Sequence, residues 1–508
     1  MRNLSGLSVV AVVIAALLGV EPAPPARAGQ ARAGRTRPTI AMRLNATAEP
    51  NRHWTGPSIL PLSGWPARWP NPIGELTPAS ETWSLTHGST GGDFIAAIAV
   101  DHAGNSYVVG SLAGTADLGC GAMSPTGSLD MYVVSYDTTG SCRWSRHFGG
   151  TSEQWATALV RDCDGNLFVT GVFSGTTDFG FGALASAGGY DGFVAELSPT
   201  GAPVWARAFG GAEDDAPSGV AVAAADIVVA GHFHGTASFG GADLVSAGGA
   251  DAFLARYAAT DGAHVWSMRE GGAAYDAFYT VSTLDSGLVV SGAFAGTSNF
   301  GGSDLASAGS KDGLLAGYTL SGAHSWSRRF GESGDDSAMS ATTTPDGGIA
   351  LSARFQGTVD FSDGAGAPLA ANGSYAAAVV RYSSAGDFTW STMIDATGLV
   401  FSPGIVVDAD GNIVVTGSFE GTVTLPRVGA VAAKGTDDSF IARFDSSGKG
   451  TWATTLAGSG SSEGITLASS CANTVVVGGY FGSSIDLGGG AVSSVGGTDF
   501  WLKATATQ

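Results

Sequence analysis

The residues in this chain best suited to chemistry are aspartates that recur at a regular spacing. Asp130, Asp191, Asp251, Asp312, Asp438 and Asp499 each end a glycine-rich stretch and open an apolar run. Asp93, Asp214, Asp276 and Asp336 form a second set, each following another glycine-containing segment. Carboxylates clustered with backbone carbonyls suit a hard cation, calcium above all, which takes about 6–8 oxygen ligands. A second reading stays open for the same ten residues. An Asp ahead of a strand accepts nearby backbone N–H groups and fixes a turn. A residue that returns in repeat after repeat serves the repeat before it serves a unique site.

Other chemistry is thinner. His232 and His234, spaced by two, share one side of a strand and form a candidate metal pair, although the other six histidines are scattered singly. The turns Asp162–Asn166 and Asp408–Asn412 read D-x-D-G-N, as a calcium loop begins, but lack its later glycine and glutamate. A hairpin turn is the simpler reading. The chain has no G-x-S-x-G, no H-E-x-x-H and no phosphate-cradling G-K-[ST] loop. Nor does it carry a sialidase-type Asp box, a YWTD motif or a C-x-x-C pair. Four cysteines, Cys120, Cys142, Cys163 and Cys471, allow three pairings, and their spacing does not choose among them.

The elements that must position these residues follow from a second periodicity. Tryptophan recurs at Trp83, Trp144, Trp205, Trp266, Trp326, Trp390 and Trp452, at intervals of 61, 61, 61, 60, 64 and 62 residues. A fixed period of this length marks a solenoid or propeller. Within the second unit the chain reads as four strands, a to d, over 155–162, 166–173, 191–198 and 204–211. A D-x-x-G-N hairpin joins a to b, and a long glycine-rich connection joins b to c. Strands c (Phe193, Ala195, Leu197) and d (Trp205, Arg207, Phe209) alternate with period two. Four antiparallel strands per unit describe a propeller blade, so the expected fold is all-β, a single seven-bladed β-propeller over 83–508. The seventh unit has strands a to c (463–470, 473–481, 499–506) and no d, whereas the segment at Trp83 is a lone d-type strand. It is expected to join the last blade and close the ring, covering an edge otherwise left open. The recurring tryptophans are expected to fill the gaps between blades.

The second unit carries FGG (148–150), DCDGNLFVTGVFSGTTDFG (162–180), SAGGYDGFVAEL (186–197) and VW (204–205). This pattern resembles the bacterial SBBP-type β-propeller repeat family, and the resemblance runs through all seven units. It implies the propeller fold and an exported bacterial protein, and it implies no particular ligand. Units five and six depart from the pattern, with NGSYAAAVV (372–380) and TLPRVGAVAAKG (424–435).

The first 28 residues predict export. Arg2 precedes a twelve-residue apolar run, Val9–Val20, and Ala26-Arg27-Ala28 resembles a cleavage site. That run is shorter than the about 20 residues a membrane span needs. Residues 29–82 form a Pro/Arg-rich leader containing Trp54, Trp65 and Trp69, expected to be extended. The leader and signal together net +4, which leaves −24 for the body against −20 for the whole chain. So acidic a body repels phosphate backbones and disfavours nucleic acid.

These readings converge on a secreted, periplasmic or cell-surface monomer, without a membrane span, that binds a protein, glycan or surface component on a loop-rich acidic face. A metal-dependent hydrolase or lyase drawing isolated residues from several blades is the alternative, and a purely structural surface component is a third. No cofactor other than calcium is suggested.

Overall fold

A computed structural model describes residues 81–506, apart from 181, 471 and 472. The signal segment, the leader up to residue 80 and Cys471 lie outside the described residues. Among these every regular element is a strand, and no helix is long and apolar enough to cross a membrane.

The strands form repeated antiparallel meanders, the architecture of a β-propeller. In unit two they are Gln154–Arg161, Leu167–Phe173, Asp191–Leu197 and Pro203–Gly211, each within one residue or so of the expected limits. The burial of each strand explains its composition. Strands b and c of this unit are buried at every position, because both faces meet neighbouring strands, and their sequences are accordingly near-continuous apolar runs. Strand d is only partly buried, with Trp205, Ala206 and Phe209 inside and Val204, Arg207 and Ala208 exposed, so the period-two alternation expected of it is not kept. The apolar clusters lie between units rather than within them. One joins Leu159 and Phe173 of unit two to Val109 and Met131 of unit one, and another joins Leu467 and Val477 near the C-terminus to Ile95 and Val108 of unit one.

The seventh unit follows the expectation with one difference. Its outer strand is Glu81–His87, which pairs antiparallel with Ala491–Ala506, setting Trp83 opposite Ala504. Strands b and c of this unit run longer than expected, over Thr474–Asp486 and Ala491–Ala506, and continue through a bulge at Gly482/Ser484 into their connecting hairpin.

The long b–c connections also differ from the loops expected. Each carries a short hairpin, and in five units that hairpin pairs back onto strand d of the preceding unit. Thr177 pairs with Gly150, Ala237 with Gly211, Ser298 with Gly272, Val423 with Ala396 and Asp486 with Ala457. Glycine-rich composition suggested loose loops. The backbone hydrogen bonds that bind these segments to the preceding unit are long-range, so local sequence patterning does not announce them.

Candidate functional site

The recurring aspartates close turns. Each strand-c Asp is the acceptor for the backbone N–H four residues earlier: Thr126 to Asp130 (2.6 Å), Ala187 to Asp191 (2.7 Å), Ala247 to Asp251 (2.9 Å), Ala308 to Asp312 (3.1 Å), Lys434 to Asp438 (2.8 Å) and Val495 to Asp499 (2.8 Å). Unit five has Ala376 in this position, and Asp395 on strand d takes over, accepting from the Asn372 N–H.

The second set does the same for strand a. Asp93 accepts from Ser89, Asp276 from Gly272 (2.7 Å) and Asp336 from Glu332 (3.1 Å). In unit three the equivalent residue is Asp215, which accepts from Gly211 (2.6 Å), and not the expected Asp214. Asp214 is half-buried and accepts from Tyr190 N–H (2.9 Å). Two adjacent aspartates made the sequence ambiguous, and only the register, with Asp215 opposite Phe233, separates them.

Nine of the ten sequence candidates, all but Asp214, are no more than 3% exposed. They therefore do not build the charged surface expected of them. Among the described residues no group of three or more His, Cys, Asp or Glu is placed to hold a metal ion. His232 and His234 lie edge to face with ring centres 6.0 Å apart, and His232 is buried. At Asp130 a neighbouring base compensates the carboxylate. Burial pushes the Asp130 carboxyl up, but hydrogen bonds from His147 and Thr126 outweigh it and hold the group below its usual range.

A concavity lies at the opposite end of the meanders, where the a–b hairpins converge. Their turns are built as expected: Asp101, Asp162 and Asp408 each accept the N–H of the Asn four residues on, at 2.8 Å in all three. The glycine of each turn has a positive φ, +87°, +93° and +83°. The cavity, about 1530 Å³, is lined by residues from all seven units, Asp101, Asp162, Ala224, Asp285, Thr344, Asp408 and Ser470 among them. No Lys or Arg is among the described residues that line it. Asp408 is matched by Arg443 at 2.9 Å, whereas Asp164 and Asp285 stand exposed in the lining. Glu196 is 6% exposed and its Oε2 has no hydrogen-bond partner. Burial raises its carboxyl above the usual range, against a lowering contact from Trp205.

The loop-rich acidic face expected from the aspartates that end the glycine-rich b–c connections lies at the other end from this cavity. The a–b turns were legible, but their convergence on one cavity belongs to the tertiary arrangement.

The cysteines divide. Cys120, in the b–c hairpin of unit one, is bonded to Cys142 at the start of strand d, with Cα atoms 5.6 Å apart. Cys163 is free and exposed.

No family model matches the chain, and no curated protein matches it. Solved structures similar to it include the Pan2 WD40 domain of Neurospora crassa, at 8% identity and TM-score 0.43, covering 82% of this chain and 89% of that one. The quinohemoprotein alcohol dehydrogenase of Comamonas testosteroni is similar at 10% identity and TM-score 0.39, covering 84% and 77%. Drosophila Plexin A, in complex with Semaphorin 1b, is similar at 10% identity and TM-score 0.39, covering 85% and 88%. Likeness at this level is silent on ligand and activity.

Proposed function

We propose that the protein is an exported, non-catalytic binding propeller that receives a basic segment of a partner protein in the hairpin-end cavity. One observation carries this reading: carboxylates line a cavity of about 1530 Å³ without a lining Lys or Arg among the described residues. A body of net charge −24 adds long-range attraction for a cationic partner. The seven units are then the blades of one closed ring, a reading supported by the pairing of Glu81–His87 with the last strand and by the apolar cluster shared between unit seven and unit one. The repeat pattern supports membership of the SBBP-type family, and the apolar run after Arg2 supports export.

Titration calorimetry with an oligolysine peptide tests the site. Binding is expected at low salt, weakening steeply as salt rises, and Asp164→Lys with Asp285→Lys is expected to abolish most of it. Equal binding by that double variant would place the partner elsewhere. Binding of neutral glycans, unaffected by the two lysines, would replace a basic partner with a carbohydrate one.

A further inference from the structure

Each unit meets the next at one recurrent position. The backbone N–H of the residue that opens strand a, or in unit five immediately precedes it, donates to the carbonyl just before the first strand-c residue of the preceding unit: Gln154 to Leu129, Asp215 to Tyr190, Asp276 to Ala250, Asp336 to Lys311, Val400 to Tyr375 and Ser462 to Asp437, all between 2.7 and 3.2 Å. These bonds set two side chains beside each other at every such junction. The pairs are Asp130 with Gln154, Asp191 with Asp215, Asp251 with Asp276, Asp312 with Asp336, Ala376 with Val400 and Asp438 with Ser462. Asp499 and Asp93 occupy the same positions where the last unit meets the first, and act on each other electrostatically.

The hydrogen bonding separates these junctions into two kinds. Where the strand-a residue is neutral, the strand-c Asp is satisfied on both oxygens. Asp130 Oδ1 accepts from Gly127 N–H and Asp438 Oδ1 from Gly458 N–H. Where the strand-a residue is an Asp, the strand-c Oδ1 is buried without a partner, in Asp191, Asp251, Asp312 and Asp499 alike. That coincidence holds at four junctions out of four. The facing carboxyl is close by. A Cβ on Gly210 would lie 2.9 Å from Asp191 Oδ1 and 2.8 Å from Asp215 Oδ2, and a Cβ on Gly331 would lie 3.0 Å from Asp312 Oδ1 and 2.9 Å from Asp336 Oδ2.

Two carboxylates buried side by side cannot both stay ionised without compensation, and one shared proton is the least costly remedy. It also supplies the missing donor: an O–H on one carboxyl meets the unpartnered oxygen of the other. The repeat contains its own comparison, because Gln154, a neutral side chain with an N–H donor, stands in unit two where units three, four and five have Asp.

We propose that the two facing pairs with no basic partner among the described residues, Asp499–Asp93 and Asp191–Asp215, are proton-binding sites, each holding one shared proton that fastens neighbouring units together, whereas Arg269 and Arg329 compensate the Asp251–Asp276 and Asp312–Asp336 pairs. The surrounding charges differ among them. Arg269 reaches Asp251 at 2.5 Å and Arg329 bonds Asp312. His234 also acts on Asp251, Asp335 faces Asp336, and Asp214 adds further negative charge beside Asp191 and Asp215. Among the described residues no base partners Asp191 or the Asp499–Asp93 pair. Burial, more than any neighbouring charge, lifts these groups, with Asp93, Asp191 and Asp336 pushed up to about 6 and Asp215 and Asp276 to about 7.

The sign follows. A carboxyl raised in the folded state contributes stability that is complete below its unfolded value and is lost as pH rises through the folded one. The junctions therefore hold best in mild acid and loosen between about pH 4 and pH 7. The lowered histidines His87, His264 and His324 pull the other way, so the test compares variants rather than reading one curve.

Asp191→Asn with Asp499→Asn is the informative double variant of the full chain. An Asn amide keeps the turn-closing oxygen and presents N–H where the shared proton would lie. Thermal midpoints are expected to coincide with wild type near pH 5 and to exceed it near pH 8. Parallel curves would overturn the proposal. In protein carrying Glu270→Gln and Glu463→Gln, which removes two other carboxyls that burial lifts to about 7 and about 8, infrared spectroscopy is expected to show a protonated-carboxyl band near pH 5.5 that fades by pH 8. Its absence from folded protein would overturn the proposal even if the variant does not fold. A midpoint at pH 8 restored by millimolar calcium relative to EDTA would assign these pairs to a metal ion instead and also overturn it.

Discussion

The indole of Trp205 lies against Gly262 of the following unit, so close that a Cβ on that glycine would meet Trp205 Cε3 at 2.6 Å. Its Nε1–H donates to the Ala259 carbonyl at 2.9 Å, fixing the ring over the same c–d turn. Trp83 with Gly140, Trp144 with Gly201, Trp326 with Gly386 and Trp390 with Gly448 repeat the contact, whereas Trp266 and Gly322 meet more loosely, at 3.6 Å. The recurring tryptophan and the recurring turn glycine are thus two halves of one contact between units.

Replacing Gly262 by Ala strains that contact twice. The residue sits at φ +67°, and the added methyl has no room beside the indole. A loss of about 1–3 kcal/mol is expected in urea unfolding. The same change at Gly357, which has φ +64° but nothing within 4 Å, is expected to cost only the backbone part.

Ala224 offers the opposite experiment. It occupies the two-residue turn between Asp215–Ala223 and Asp226–Phe233 at φ +60°, where an L side chain is strained. Ala224→Gly is expected to raise stability by roughly 0.5–1 kcal/mol, the relief of strain exceeding the entropy glycine adds to the unfolded chain. An unchanged denaturation midpoint would refute this.

The disulfide should matter in proportion to the segment it closes. Cys120 and Cys142 are 22 residues apart in sequence, and the chain-entropy account gives about 3 kcal/mol for a loop of this order. In unit one the short hairpin Ala116–Asp117/Ala122–Met123 forms its own two-stranded sheet, without the pairing to a neighbouring strand d seen in five other units. The disulfide ties it down instead. Reduction, or Cys120→Ser with Cys142→Ser, is expected to lower the melting temperature and to raise hydrogen exchange in that hairpin first.

Glu463 gives a pH dependence at higher pH. Burial, reinforced by Asp437 and opposed by a hydrogen bond from Tyr480, pushes its carboxyl up to about 8. The stability it contributes is present below about pH 4.5 and is lost as pH rises through 8. Glu463→Gln, a neutral stand-in, is expected to match wild type near pH 5 and to outlast it near pH 9. Equal midpoints at both values would show that the side chain ionises freely.

Much of this protein is legible in its residues, and the reason is repetition. The tryptophan interval, the short apolar runs such as Leu167–Phe173 and the D-x-x-G-N turns are local or periodic signals, and they located the strands of unit two to about a residue. The alternation expected of strand c does not appear, because both its faces are buried. The lone strand at Trp83 was equally readable, because a unit with three strands and a strand without a unit imply each other. What local pattern does not hold is how one unit meets the next. The b–c hairpins clasp strands 26–29 residues away in sequence. The a–b turns from seven units line one cavity. Asp191 faces Asp215 rather than water. Each of these depends on where distant backbone is brought by closing sheet against sheet, and a side chain's exposure is set only then. The same aspartates that suggest a charged binding face in the sequence are therefore buried turn acceptors in the fold, because packing of neighbouring units excludes the solvent that would have made them a surface.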